Sequence, residues 1–295
     1  MLSAFKAKDG REAPEAFSSS SIGPSMYSMT AFSDLIFPVL EFAQAKQVVE
    51  IGADTGGMSL MLAEYCLNHG GQLTSIDPAP TPAFRSWAAL TSQVRHVDLP
   101  SLEAFPKLSN IDAWVIDGDH NWYTVYNEII EAEKICRRDN KPLLAFFHDV
   151  CWPCARRDMY YAPERIPAEY RHPFSREDGV TLGNPGLLWK RGFRGGNYFA
   201  WAAHEGGPRN GVLTAIEDFM AERYHEGHEF GFAEIPGLMG LGVLFDLNMP
   251  WSGEVAKFLL PHHQNKLLRI VEEDRMRNNL RAHDLCDDAR EAAAS

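Results

Sequence analysis

Apolar positions along the chain follow two alternating rhythms. Short runs of strand length, VVEIG (48–52), LTSID (73–77), VRHVD (94–98), DAWVIDGD (112–119) and PLLAFFHDV (142–150), are separated by segments long enough to hold a helix. Directly after the first run, MSLMLAEYCLNH carries apolar residues at helical spacing, so the order there is strand, tight turn, helix. A further helix is predicted over 29–45. Strands that are apolar almost throughout and alternate with helices imply an α/β fold, with a parallel sheet covered on both faces. In such a sheet ligands bind beyond the carboxyl ends of the strands, near the point where strand order reverses.

The rhythm breaks from Cys151 onward. Residues 151–209 are rich in Pro, Gly, Arg and Tyr, the composition of a lid or binding loop. Helical periodicity returns at GVLTAIEDFMAERYHEG (211–227). FGFAEI and GLGVLFDL then bracket the turn-like PGLMG as an antiparallel pair. This divides the chain into a polar arm (1–28), a main domain (29–250) with an insertion (151–209), and a charged helical tail (251–295) that ends in a polar, disordered-looking stretch.

Composition narrows the class of partner. A chain of 295 residues, 45% hydrophobic, can bury one large core. A net charge of −12 gives it no general attraction to phosphate backbones or anionic lipid, so no nucleic acid and no membrane partner is expected. No stretch has the length and apolarity of a signal or spanning segment, which predicts a cytoplasmic protein. Five cysteines, an odd number in a chain too long to need staples, read as mostly buried thiols.

The turn Glu50-Ile51-Gly52-Ala53-Asp54-Thr55-Gly56-Gly57 carries the first chemical signal. Glycines let a ligand approach the backbone, and the following helix offers unpaired N–H groups to a carboxylate. The spacing is not the GxGxxG of dinucleotide sites, which weakens a nicotinamide oxidoreductase reading. Glu50 and Asp54 repel a diphosphate and leave room for a sulfonium zwitterion. Asp77 closes the second strand, the position from which a carboxylate accepts ribose hydroxyls. Asp98 closes the third strand, either facing an adenine amino group or as a solvated loop residue.

With these motifs the chain resembles the class I S-adenosylmethionine-dependent methyltransferases. VVEIGADTGG is similar to their first motif and LTSID to the second. IDGDH and FFHD are similar to the ends of their fourth and fifth strands, and the last two strands to their reversed terminal hairpin. The nearest subgroup is the bacterial small-molecule and sugar O-methyltransferases, including those of secondary metabolism. The resemblance spans about 30–250. It implies a Rossmann-like, mostly parallel seven-stranded sheet and S-adenosyl-L-methionine held by Glu50, Gly52, Gly56, Asp77, Asp98 and Asp117. It also implies a divalent metal, Mg2+ or another, at Asp117 and at the fifth-strand pair, which here is His148-Asp149. His148 departs from the family's acidic or amide residue there, and imidazole suits softer ions than Mg2+. Two readings therefore stand side by side. In one, Asp117, His148 and Asp149 hold an ion while His120 or His148 accepts the acceptor's proton. In the other, a histidine acts alone, with His148 as a structural residue a third option.

The insertion is expected to grip a small-molecule acceptor through Trp152, Arg156, Arg157, Tyr160 and Tyr161, since aromatic faces and guanidinium groups suit a sugar or a carboxylated ring. A structural cap is the alternative. Cys151-Trp-Pro-Cys154 lacks the second pair or the context of a zinc or redox site. The function expected is O-methylation of a small hydroxylated metabolite or sugar. The competing readings are metal-free N-methylation and a non-catalytic, methyltransferase-like assembly subunit. The charged tail suggests contacts in a homo-dimer or higher homo-oligomer.

Overall fold

The computed structural model describes residues 28–294; the predicted arm lies outside the described residues apart from Ser28. A 3-10 turn (Met29–Phe32) leads into α1 (Ser33–Phe42), and the sheet then builds as β1 (Gln47–Ile51), α2 (Gly57–Asn68), β2 (Gln72–Ile76), α3 (Pro82–Leu90), β3 (Val94–Val97), α4 (Ser101–Ala104), β4 (Ala113–Ile116), α5 (Trp122–Arg138) and β5 (Leu144–His148). After the insertion come α6 (Val212–His225), with the numbers β6 to β10 falling to the insertion's short strands, then β11 (Phe230–Ile235) and β12 (Leu241–Asp246). Strand order is β11-β12-β5-β4-β1-β2-β3. The five strands from β1 to β5 pair in parallel, and β12 runs antiparallel to both β5 and β11. The mostly parallel seven-stranded sheet with its reversed hairpin is as expected.

Alternation along each strand feeds two cores. Val48, Leu73, Ala113, Val115, Leu144 and Phe146 pack under α1 and α2, while Val49, Ile51, Trp114, Ile116, Ala145 and Phe147 pack under α5 and α6. Both faces being covered explains why the strands carry so few polar residues. Glu50, an acidic residue, nevertheless occupies a core position and is 1% exposed.

The insertion is more ordered than a loop prediction allows. It forms a three-stranded sheet of β6 (Met159–Tyr160), β7 (Phe174–Ser175) and β10 (Ala200–Ala202), and a hairpin of β8 (Gly179–Thr181) and β9 (Asn184–Leu188). Polar side chains that looked available to a ligand hold this unit together. The buried Asp158 carboxylate accepts from the backbone N–H groups of Trp122 and Gly211, both at 2.7 Å, and from the Tyr160 hydroxyl at 2.8 Å.

The tail is largely helical. Following α7 (Ser252–Leu259), α8 runs unbroken from Lys266 to Ala294, with no disordered end among the described residues. Val255 and Leu259 belong to the main core. Ion pairs from Arg194 to Asp287 at 2.5 Å and from Arg191 to Asp288 at 2.6 Å hold α8 against the insertion. Of the five cysteines, all free, Cys66, Cys136 and Cys154 are buried, Cys151 is half-buried and Cys286 is exposed. No helix among the described residues is long and apolar enough to cross a membrane.

Candidate active site

Strand order reverses between β1 and β4, and a cavity of about 610 Å³ opens at the carboxyl ends of these strands, within the size range of small-molecule sites. Its floor is the β1–α2 turn. Gly52 has φ +89° and lies so close to the Asp117 backbone that a β-carbon would collide with the Asp117 carbonyl oxygen. Gly56, at φ +86°, shapes the turn and caps α2 without lining the cavity itself; Gly57 and Met58, the first residues of α2, line it instead.

Glu50 lies beneath the turn. The Ser59 and Ser75 hydroxyls donate to one of its oxygens at 2.5 and 2.6 Å. Burial nevertheless dominates those donors and pushes its carboxyl up to about 7. Asp77 lines the cavity and also builds the turn. One oxygen accepts from the backbone N–H groups of Ala53 and Asp54 at 2.9 and 3.0 Å, and the other from Ala79 at 2.7 Å. Three of its roughly four acceptor positions are thus committed to the backbone.

Asp98 stands outside the cavity. Its side chain is 54% exposed and pairs with Arg85 at 2.5 Å, an ion pair that lowers its carboxyl below the usual range. The cavity wall beyond β3 is made by Pro100, Ser101 and Leu102. Asp98 follows β3 as Asp77 follows β2, and what separates them is the partner: Asp77 accepts from the N–H groups of the β1–α2 turn, whereas Asp98 pairs with Arg85 on α3.

Beyond Asp117 the cavity meets a cluster of four side chains. His120 Nε2 lies 3.3 Å from Asp117 Oδ1 and 3.0 Å from Asp149 Oδ2, and His148 Nδ1 lies 3.2 and 2.9 Å from the same two oxygens. Donor atoms of Asp117, His120 and Asp149 lie within 4.8 Å of one another, the spacing of a metal centre. Asp149 holds a left-handed backbone, φ +61°, costly for a residue other than glycine and tolerated best by Asp and Asn. Burial opposes charge on His120, but Asp149 and Asp117 outweigh it and raise the imidazole to about 10. His148 is raised for the same reason, and both carboxyls are lowered despite their burial.

The insertion reaches the site through backbone pairing. Met159 N–H donates to the His120 carbonyl at 3.0 Å, which sets the register of β6 against the IDGDH loop. Strand alternation then sends Tyr160 inward, 0% exposed, and Tyr161 into the cavity wall, with its ring 5.9 Å from that of His120. Of the five residues expected to grip an acceptor, Tyr161 alone lines the cavity. Arg157 is wholly buried and donates to the carbonyls of Ala202 and Pro185 at 2.6 and 2.7 Å. Arg156 pairs with Glu217 on α6, and Trp152 packs on the core under α5 and α6. Alternation and burial within an irregular insertion are set by its tertiary partners, which composition does not reveal.

Several lining residues were not singled out from the sequence. Asp119, inside the IDGDH motif, lines the cavity with one buried oxygen that lacks a partner. Tyr123, Thr124 and Arg165 complete that end, and Arg165 reaches Glu103 at 2.5 Å across the rim. Asp119 and Thr124 were within reach of sequence reasoning, since the loop leads into a helix capped by Asn121, whose side chain accepts from Thr124 N–H.

Residues 49–150, which contain the turn, Asp77, the IDGDH loop and His148-Asp149, match the methyltransferase-domain family Methyltransf_24. No curated protein matches the chain. Among solved structures it is similar to the O-methyltransferase TomG of Streptomyces achromogenes, involved in tomaymycin synthesis and solved with S-adenosylmethionine, at 13% identity over 76% of this chain and 82% of that one, TM-score 0.46. It is also similar to the Podospora anserina methyltransferase PaMTH1, bound to S-adenosylhomocysteine, at 12% identity over 78% and 85%, TM-score 0.44. A third likeness is to an O-methyltransferase of Bacillus cereus in complex with S-adenosylhomocysteine, at 14% identity over 79% and 84%, TM-score 0.41.

Proposed function

We propose that this chain, whose residues 49–150 match a methyltransferase-domain family, transfers the methyl group of S-adenosylmethionine to a hydroxyl of a small metabolite or sugar with the help of a divalent ion. The observation that carries the reading is the continuity of one cavity from the acidic glycine turn to Asp117, where the aspartate and histidine cluster begins.

In this reading the methionine carboxylate lies at the start of α2, where unpaired N–H groups favour an anion. The remaining acceptor capacity of Asp77 takes a ribose hydroxyl, and Pro100, Ser101 and Leu102 flank the adenine in place of Asp98. Asp117 supplies negative potential near the sulfonium, and Glu50 adds to it once it ionises, above about 7. The sulfonium is already an activated donor, so the protein's contribution is alignment of nucleophile, methyl and sulfur together with exclusion of water, worth several kcal/mol. Tyr161 and Tyr123 provide faces for the acceptor.

Asp117, Asp149 and His120 fit a divalent ion, since their donor atoms converge within 4.8 Å and carboxylate oxygens and imidazole nitrogens are ligands for such ions. When bound, such an ion would lower the pKa of the acceptor hydroxyl. The test is isothermal titration with S-adenosylhomocysteine, followed by transfer of labelled methyl to candidate polyols and sugars. Micromolar binding is expected, and a folded protein that does not bind the cofactor product removes the reading.

A further inference from the structure

The charge of the cavity bears on which acceptors it can hold. Six acidic side chains line it, Glu50, Asp54, Asp77, Glu103, Asp117 and Asp119, and among the described residues Arg165 is the one basic side chain that does. Arg165 pairs with Glu103 at 2.5 Å. The two arginines that the sequence offered to a carboxylate are committed elsewhere, Arg156 to Glu217 and Arg157 to buried carbonyls. An acceptor bearing a carboxylate or phosphate would therefore enter with no free guanidinium to meet it, and an unpaired charge is costly to desolvate.

Most of the acidic groups have a counterpart in the methyl-transfer reading. Glu50 keeps its proton to about 7, Asp54 is exposed at the turn, and Asp77 is filled by turn N–H groups and the ribose. Glu103 has Arg165, and Asp117 with Asp149 balances the ion. Asp119 has none. Its Oδ2 accepts from the Thr124 hydroxyl at 3.2 Å, while its buried Oδ1 makes no hydrogen bond. Tyr123 and Tyr161 line the same cavity, and Tyr161 is 49% exposed, so its ring is open to a ligand. A carboxylate oxygen with an open position and aromatic faces in one cavity suit an alkylammonium: the oxygen takes an N–H in a charge-assisted bond, and the rings favour the positive charge.

We propose that the acceptor is a hydroxylated primary amine, such as an amino sugar or a phenolic amine, whose ammonium group is held by Asp119, and that Asp119 selects it over neutral and carboxylated analogues. Asp117 and Asp119 stand two residues apart, no more than about 7 Å along the chain, so an acceptor of monosaccharide size reaches both. Holding the amine as a cation also decides which atom is methylated, because an ammonium nitrogen has no lone pair with which to attack. The hydroxyl oxygen bonds the methyl carbon, the electron pair of the carbon–sulfur bond leaves with sulfur as S-adenosylhomocysteine, and the hydroxyl proton is released to solution. The competing N-methylation is thus disfavoured by the same contact that binds the acceptor.

This inference rests on the methyl-transfer reading and names its acceptor class. The full chain with Mg2+ is assayed for transfer of labelled methyl to two matched series, glucosamine, glucose and glucuronate, and tyramine, 4-ethylphenol and 4-hydroxyphenylacetate. In at least one series the amine is expected to exceed the neutral member in kcat/KM by about tenfold or more, with the carboxylate lowest and the label on oxygen. Asp119→Asn keeps the side chain's shape and its acceptor for Thr124. It should raise KM for the amine by about tenfold or more, leave the neutral member within about twofold, and leave S-adenosylhomocysteine affinity within about twofold by calorimetry, which also establishes that the variant is folded. Four results overturn the inference and leave the methyl-transfer reading in place: preference for the neutral or carboxylated member in both series, label on nitrogen, transfer to no member by a protein that binds S-adenosylhomocysteine, or an Asp119→Asn loss that falls equally on amine and neutral acceptors or on S-adenosylhomocysteine itself, as it would if Asp119 took the adenine amino group. A folded chain that does not bind S-adenosylhomocysteine removes both.

Discussion

Gly52 backs directly onto the main-chain carbonyl of Asp117, leaving no room for a β-carbon between the first-strand turn and the end of the fourth strand. The cofactor turn and the first carboxylate of the cluster are therefore mechanically one unit. Asp117 N–H donates to the Ile51 carbonyl at 2.8 Å and reinforces it. Gly52→Ala is expected to lower stability by about 2–4 kcal/mol through this collision and the positive φ. Thermal denaturation reads the effect, and a melting temperature equal to the parent's would contradict it.

Glu50 makes stability depend on pH. An unfolded carboxyl ionises near 4.5, while the folded one, raised mainly by burial, keeps its proton to about 7. The folded state thus binds more protons between these values. Its stability is fully present below pH 4.5 and declines as pH rises through 7, by on the order of 3 kcal/mol. Glu50→Gln should remove this decline, making the variant more stable than the parent at pH 8 and similar to it at pH 4.5, while weakening cofactor binding. Denaturant unfolding at the two pH values checks it; parallel pH profiles for parent and variant would be the contrary result.

Asp77 and Asp98 look equivalent in the sequence and should behave differently. Removing the Asp77 carboxylate frees two turn N–H groups, and hydrogen bonds to a charged acceptor are each worth about 1.5–3 kcal/mol. Asp77→Ala is expected to weaken S-adenosylhomocysteine binding by roughly 10- to 100-fold. Asp98→Ala, which loses an exposed pair with Arg85, should leave it within about twofold. Calorimetry on both variants would expose an error if the order were reversed.

Arg157 is a strut of the insertion. Its replacement by Met leaves the Ala202 and Pro185 carbonyls unpaired in a buried setting, at a cost of about 2–4 kcal/mol. Limited proteolysis should show the insertion opening, whereas the acceptor KM of the folded fraction stays unchanged. Tyr161→Ala should do the opposite, raising KM with little change in stability. A large KM effect from Arg157→Met without loss of stability would argue that the guanidinium contacts substrate.

The readable part of the site is the part carried by strand ends. Gly52, Asp77, Asp117, His148 and Asp149 each follow or close a short apolar run, and a parallel sheet brings such ends together whatever the intervening helices do. Asp98 shows the limit of that rule: it follows β3 as Asp77 follows β2, yet it pairs with Arg85 at the surface and does not line the cavity. The insertion was misjudged residue by residue because Arg157, Tyr160 and Tyr161 differ in role only through which backbone they pair with, and that pairing, Met159 against His120, joins positions far apart in the sequence.

By itself the sequence determined the α/β sheet, its reversed terminal hairpin and the acidic turn, because periodicity of two or of three to four residues is a local property written into neighbouring positions. The tertiary structure alone decided that His120 and His148 face the same pair of carboxylate oxygens, that Leu238 fixes the proton on His148, and that α8 supports the β11–β12 turn from the far end of the chain. Those relationships depend on distances of a few ångströms between segments 28 to 90 residues apart, and packing, not local pattern, sets such distances.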